Sequence, residues 1–429
     1  MAITVNTTPP DWASVFNEIA VEFQREDFQV VGITSGTDVE LVSPGSSILD
    51  VGDSIYLFGD DGGGNTDSGF FTILERTSNT LFVLASSFSL VATSGYLNSD
   101  DVRTNYYLAL IAEDEVYLKI VPDATGLLSA DISENLVYLL SKENISDYAT
   151  KYIQDTNIGK SYELEYVEVW GETSQTAVSI GTFNVVFAAL DYTDMVPYII
   201  EPSGTPNTFF AKWLTEFEEL AYWEGQAFDV AIINAFGSAT LFVKEEKHFT
   251  DGTTSTDSYA LSNWSDVMLR IQLNGGYASN IDYINLYLFD TTRDRLTEKL
   301  RINIHQACDD SMSMAWINTL GGLDYWNFTL RQDYSLPVNT KKTIFLKNSE
   351  FDLSKSANNN IKLFADDIDV VYQTGLEGLL YCLQAYLYET SSYINVRIDD
   401  GESFLFRTDS SKFKIEVKAL KKQLNLGHL

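Results

Sequence analysis

The sequence predicts a mainly β protein of several modules: β-sandwich units, an inserted small β-barrel and few short helices. Three observations carry this expectation. Tyr (24) and Phe (25) are abundant among the 429 residues, and aromatic and β-branched side chains suit a pleated, half-buried surface. Apolar and polar residues alternate with period two at 116–120, at 394–398 and most regularly at 413–419. In the last, Phe413, Ile415, Val417 and Ala419 fall on one face and Lys412, Lys414, Glu416 and Lys418 on the other. Short apolar runs are divided by Gly, Asn, Asp and Ser turns, the punctuation of sandwiches and barrels rather than of alternating α/β folds.

The chain exceeds the roughly 100–200 residues of one ordinary domain, so several compact units are expected. Turn clusters at 35–38, 43–45 and the glycine-rich loop 59–69 separate strand candidates at 29–33, 39–42, 54–58, 70–75 and 80–84. Five short strands in this space predict a small barrel over 28–101. Its flanks, 15–24 and 106–121, read as strands of another unit, so the barrel is expected as an insertion in a split sandwich of 1–27 and 102–300, a placement that loop tips tolerate. A C-terminal β-domain, 301–429, follows. The segments 162–170 and 281–289 are apolar on both faces, as in a sandwich middle or against a partner subunit.

Two helices are expected. Asp131 is a cap candidate with Glu134 three residues on, and Ile132, Leu136, Leu139 and Leu140 form an apolar stripe. At 209–220, Phe210, Trp213, Leu214 and Phe217 recur at helical spacing.

Lys plus Arg is 28 and Asp plus Glu 61, giving a net charge of −33. A surface that negative repels phosphate backbones and anionic lipid, so nucleic acid is not an expected partner. No apolar run approaches the roughly 20 residues of a spanning helix, so no membrane insertion is expected. The N-terminus carries neither a basic nor an apolar signal region, which points to assembly in a cytoplasm. Against this background the last 20 residues hold five lysines, Lys421 and Lys422 among them, and one glutamate, a net of +4. Such an end suits an acidic face on a neighbouring copy, or serves as a lysine-guarded edge strand.

The motifs of common chemistry are missing: no nucleophile elbow, zinc-binding H-E-x-x-H or phosphate loop occurs, and the chain is expected not to be an enzyme. His305 lies near Cys308 and Asp309, but without a third orienting group it reads as a packed strand residue. Cys308 and Cys382 read as two free thiols, with a bridge between them as the alternative. No cofactor is expected. Asp60, Asp61, Asn65 and Asp67 offer hard oxygen ligands that suit calcium, although a solvated hairpin tip is the plainer reading. Asp366-Asp367 and Asp399-Asp400 are judged in the same way. Around Gly321-Gly322, the residues Trp316, Tyr325, Trp326 and Phe328 form the densest aromatic block. They suit a core or an interface, with stacking on a sugar ring as the sharper alternative.

The block Trp316-Ile-Asn-Thr-Leu-Gly-Gly-Leu-Asp-Tyr-Trp-Asn-Phe resembles a segment of virion and tail-associated proteins of phages and prophages of Bacteroidetes. Phe16-Asn-Glu-Ile-Ala-Val-Glu-Phe-Gln and Asp131-Ile-Ser-Glu-Asn-Leu resemble the same group, and 378–426 looks like the closing β-domain of tail adaptor or distal-tail proteins. The resemblance implies a virion structural subunit of the tail, tail tip or collar, forming a symmetric homo-oligomer with other virion proteins as partners. Trp316, Tyr325, Trp326, Phe328, Lys414, Lys418 and Lys421 are the expected interface residues. A host-glycan-binding spike or fibre acting through Trp316, Tyr325 and Trp326 is the alternative; a polysaccharide-degrading enzyme with paired carboxylates ranks last.

Overall fold

A computed structural model describes residues 3–25, 28–33, 36–41, 51–78, 80–92, 94–98, 106–112, 115–123, 127–138, 140, 152–154, 158–170, 173–200, 210–226, 228–235, 240–261, 267–273, 277, 280–306, 311–329, 332–335, 338–346, 349–357, 359–389, 392–405 and 410–419. The protein is mainly β, with several sheets of sandwich type and short helices. It divides into two compact units: residues 1–11, 18–136 and 162–183, and residues 12–17, 137–161 and 184–429.

In the first unit, six strands between Phe28 and Asn98 close into a barrel, one strand more than the turn spacing predicts. The addition is Ser94–Asn98, which bonds to both Phe28–Ile33 and Ser54–Asp60 and so removes the sheet edge. Alternation decides what fills the interior: Ile55 and Leu57 point inward from one strand and Ile73 from its neighbour, joining Ile33, Val39, Phe82, Leu84 and Phe88. Each large apolar side chain sealed this way contributes about 1.5–3 kcal/mol. Beside the barrel, Ala20–Arg25 sits between Ile3–Thr7 and Leu127–Asp131. The strand expected over 15–24 begins only at Ala20; before it, Asn17 N–H turns back to the Ser14 carbonyl at 3.0 Å. Asp131 accepts the N–H groups of Ser133 (2.9 Å) and Ile19 (3.0 Å), and the helix that follows is the single turn Ser133–Val137. Leu139 lies outside the described residues.

The second unit holds a four-stranded, a five-stranded and a seven-stranded sheet among its described residues. Phe228–Asn234 of the first of these packs on Leu323–Phe328 of the last, with the Phe228 and Tyr325 rings 5.8 Å apart. The seven-stranded sheet runs from Leu323–Phe328 through Met312–Ile317, Gln384–Glu389, Ser392–Leu405 and Ser410–Ala419 to Asn359–Asp369 and Gln332–Ser335. Within it Ile398 faces Val417 across an antiparallel pair, and Ile415 is fully buried. Leu300–His305, at the expected start of the C-terminal domain, lies within the second unit and is paired on both sides, with Ile281–Phe289 and with Leu220–Trp223.

The helix expected at 209–220 does not form over the described residues. The backbone there is claimed by distant partners: Leu214 N–H donates to Ala231 O (2.9 Å), Lys212 N–H to Pro197 O (2.8 Å) and Glu216 N–H to the Asp324 carboxylate (3.2 Å). Trp213, Leu214 and Phe217 are buried from this irregular strap, so helical spacing arose without helical hydrogen bonding.

Candidate functional site

The strap and the aromatic hairpin build one hub in the second unit. Met312–Ile317 and Leu323–Phe328 pair antiparallel, and Gly321, at φ +89°, closes the turn between them. Asn318 holds that turn, its side-chain oxygen accepting the N–H of Leu320 (3.1 Å) and of Gly322 (3.0 Å). Its amide donates to Leu214 O (3.1 Å) and to Asp324 (2.8 Å), tying hairpin to strap. Asp324 also accepts the Thr215 hydroxyl. Burial pushes its carboxyl up to about 7, against these donors and with the Glu216 carboxylate adding to the rise.

Aromatic rings continue outward from the hub. Phe217 lies 5.9 Å from Trp316 and 6.0 Å from Trp326; Trp326 meets Trp223 edge-on at 5.0 Å and Tyr372 at 5.4 Å. The resemblance block is therefore interior: Trp316, Tyr325, Trp326 and Phe328 are 0, 5, 7 and 0% exposed. Their place as interface residues is corrected by that packing, since each already spends most of its apolar surface within the chain, Trp326 keeping only a margin on the cleft. Tyr325 donates its hydroxyl to Asp229 at 3.0 Å, behind the hairpin. Of the lysines expected at an interface, Lys414 and Lys418 have their backbone in Ser410–Ala419, opposite Phe364 and Asn360, and Lys421 lies outside the described residues.

Where the ring series reaches solvent, it lines a cleft of about 620 Å³. Parallel pairing sets Trp223 beside His305 and Ala221 beside Asn303, so the two strands carry matched faces. Period two then puts Arg301, Asn303 and His305 on one side of their strand, while Leu300 and Ile302 are buried on the other. His305 stacks on Trp223 at 5.2 Å. Asn303 donates to Glu219 and to the Tyr372 hydroxyl, both at 2.7 Å, and accepts Arg301 Nε at 2.9 Å. Arg301 also lies 3.5 Å from Glu219 and over the Tyr283 ring. Asp369 closes the rim and accepts the Val371 N–H at 3.3 Å. Burial pushes the Tyr372 hydroxyl up to about 12 and lowers the His305 imidazole, although His305 as a residue is exposed. Near neutral pH the cleft thus presents a neutral imidazole and a protonated phenol.

Sequence reasoning took His305 as a packed strand residue and passed over Trp223, Arg301, Asn303 and Tyr372. The polar stripe Arg301-x-Asn303-x-His305 opposite apolar residues was the available signal.

In the glycine-rich barrel loop, Asp60 and Asp61 serve the turn and Asp67 ties its far end to another segment. Asp60 accepts Gly62 N–H (2.7 Å); Asp61 accepts Gly63 N–H (2.7 Å) and the Asn65 amide (2.6 Å); Asp67 accepts the Ser89 hydroxyl. The Asn65 and Ser89 donors hold Asp61 and Asp67 below the usual carboxylate range. No group of three or more potential metal ligands occurs among the described residues. Cys382 is free, its thiol pushed up to about 12 by burial; Cys308, Asp309 and Lys422 lie outside the described residues.

No protein-family model matches the chain, and no curated protein does. Among solved structures, the chain is similar over 48% of its length to a chicken T-cell receptor, 88% of which is covered, at 7% identity and a TM-score of 0.17. A superposition that loose carries no weight for fold or function.

Proposed function

We propose that the chain is a non-enzymatic structural subunit of a bacteriophage virion, in the tail, tail tip or collar. It works by assembling into a symmetric oligomer, with other virion proteins as neighbours. The observation that supports this best is in the barrel. Its interior is full, yet Phe70 and Leu74 stand on the outer face of Thr66–Arg76 at 64% and 59% exposed, with the Tyr56 ring 5.2 Å from Phe70. Large apolar side chains left outside a filled module fit burial against a further chain. The resemblance of the 316–328 block supplies the virion setting. Mass spectrometry of washed, purified particles tests the reading: peptides of this chain at fixed stoichiometry support it, and their absence from intact particles overturns it.

A second reading, a host-glycan-binding spike or fibre, is favoured by the cleft, where aromatic edges and hydrogen-bonding groups meet. Adsorption of the purified chain to host cells tests it.

A further inference from the structure

We propose that the cleft between Trp223, His305, Trp326 and Tyr372 is a binding site for a neutral saccharide. The volume, about 620 Å³, falls within the roughly 300–1,000 Å³ of small-ligand sites. The walls supply two kinds of surface in one place. Trp223, Trp326, Ala365 and Ile368 supply apolar carbon and His305 an exposed imidazole, so the cleft has an apolar wall against which the C–H side of a pyranose can pack by burial.

The polar groups are arranged for a partner that both donates and accepts. Asn303 spends both amide hydrogens on Glu219 and Tyr372 and its oxygen on Arg301 Nε, so it orients the other three. That leaves the terminal nitrogens of Arg301 and the proton of the Tyr372 hydroxyl to donate. The carboxylates of Glu219 and Asp369 accept, and a neutral His305 does one of each. Hydroxyl groups answer all of these at once; a carboxylate, a phosphate or an ammonium answers only half.

Charge narrows the ligand further. Glu219 and Asp369 outnumber Arg301 at the rim, on a chain of net −33, so acidic sugars are repelled; against a cationic sugar the ground is hydrogen bonding, since an ammonium leaves the donors of Arg301 and Tyr372 unanswered. Asn303 and Tyr372 are held within 2.7 Å of each other before any ligand arrives, which limits the ordering cost of binding.

This inference rests on the receptor-binding reading for its biological setting and on the cleft alone for its chemistry. The test is a multivalent display of the full chain on arrays of neutral and acidic oligosaccharides, followed by titration of the free sugar with tryptophan fluorescence as readout. Binding to neutral glycans, a fluorescence change from Trp223 and Trp326, and a loss of about tenfold in affinity on His305→Ala or Arg301→Ala are expected. Both positions are exposed, so the variants keep the fold; near-unchanged circular dichroism checks this. Three results would each overturn the proposal: no neutral glycan bound, binding that both variants leave intact, or a preference for acidic glycans or extended peptides. A chain that binds free sugar without adsorbing to host cells keeps the cleft and removes the receptor reading. Adsorption untouched by the two variants does the reverse.

Discussion

Arg270 donates its Nε to Asp229 at 3.0 Å with both side chains sealed from solvent, 1% exposed each, and the Tyr325 hydroxyl closes on the same carboxylate oxygen. Two charges removed from water stay only because each answers the other. Arg270→Met strands the carboxylate and is expected to cost about 3–5 kcal/mol. Converting both, as Arg270→Met with Asp229→Leu, removes the stranded charge and recovers much of that loss. Urea denaturation of the two variants checks it; a double variant less stable than the single one would contradict the account.

Asp324 makes stability depend on pH in an unusual direction for a carboxylate. Its ordinary value is 3.8 and burial raises it to about 7 in the folded protein. A folded-state value above the unfolded one gives stability that is complete below about 4 and lost as pH rises through about 7. The melting temperature of the wild type should therefore fall between pH 5 and pH 8 more steeply than that of Asp324→Asn, which cannot ionise there. Parallel profiles would remove the Asp324 explanation.

Gly322 lets the strap reach the hairpin. A Cβ built on it would sit 1.8 Å from the Leu214 carbonyl oxygen, a backbone atom that Asn318 and the hub hold in place. Gly322→Ala is expected to destabilise at or above the roughly 1–3 kcal/mol of ordinary overpacking. Differential scanning calorimetry reads this as a lowered transition; an unchanged transition would show that the strap is free to move.

On the barrel, Phe70→Ser with Leu74→Ser removes apolar surface that is mostly exposed, together with the ring contact of Phe70 with Tyr56. The variant should lose about 1 kcal/mol of stability or less and yet assemble less. Dynamic light scattering beside a thermal melt separates the two effects. A large loss of stability would place these side chains in the fold's own packing.

Legibility in the sequence followed the range of the interactions. Alternation announced Glu115–Ile120, Ser392–Leu405 and Ser410–Ala419, because a half-buried strand writes its own period, while runs apolar on both faces announced Gly159–Trp170 and Ile281–Phe289. Turn clusters located the barrel but missed Ser94–Asn98, a closing strand too short and too rich in Gly and Ser to show a pattern. The strap at 210–217 imitated a helix, since spacing records which side chains are buried and not where the backbone N–H groups go. Trp316 and Trp326 were visible as a block, but a filled interior and an exposed interface both call for aromatic rings, and only the packing against Phe217 and Trp223 separates them. The cleft escaped because Trp223 and His305 are brought side by side by parallel pairing of strands about 80 residues apart, a register that neither strand encodes locally.

The assembly claim is tested most directly by light scattering of the purified full chain during size-exclusion chromatography. The account predicts a discrete species at a whole-number multiple of 48.1 kDa that Phe70→Ser with Leu74→Ser shifts toward the single chain. A mass of one chain at every concentration tried, unaffected by those substitutions, would contradict it.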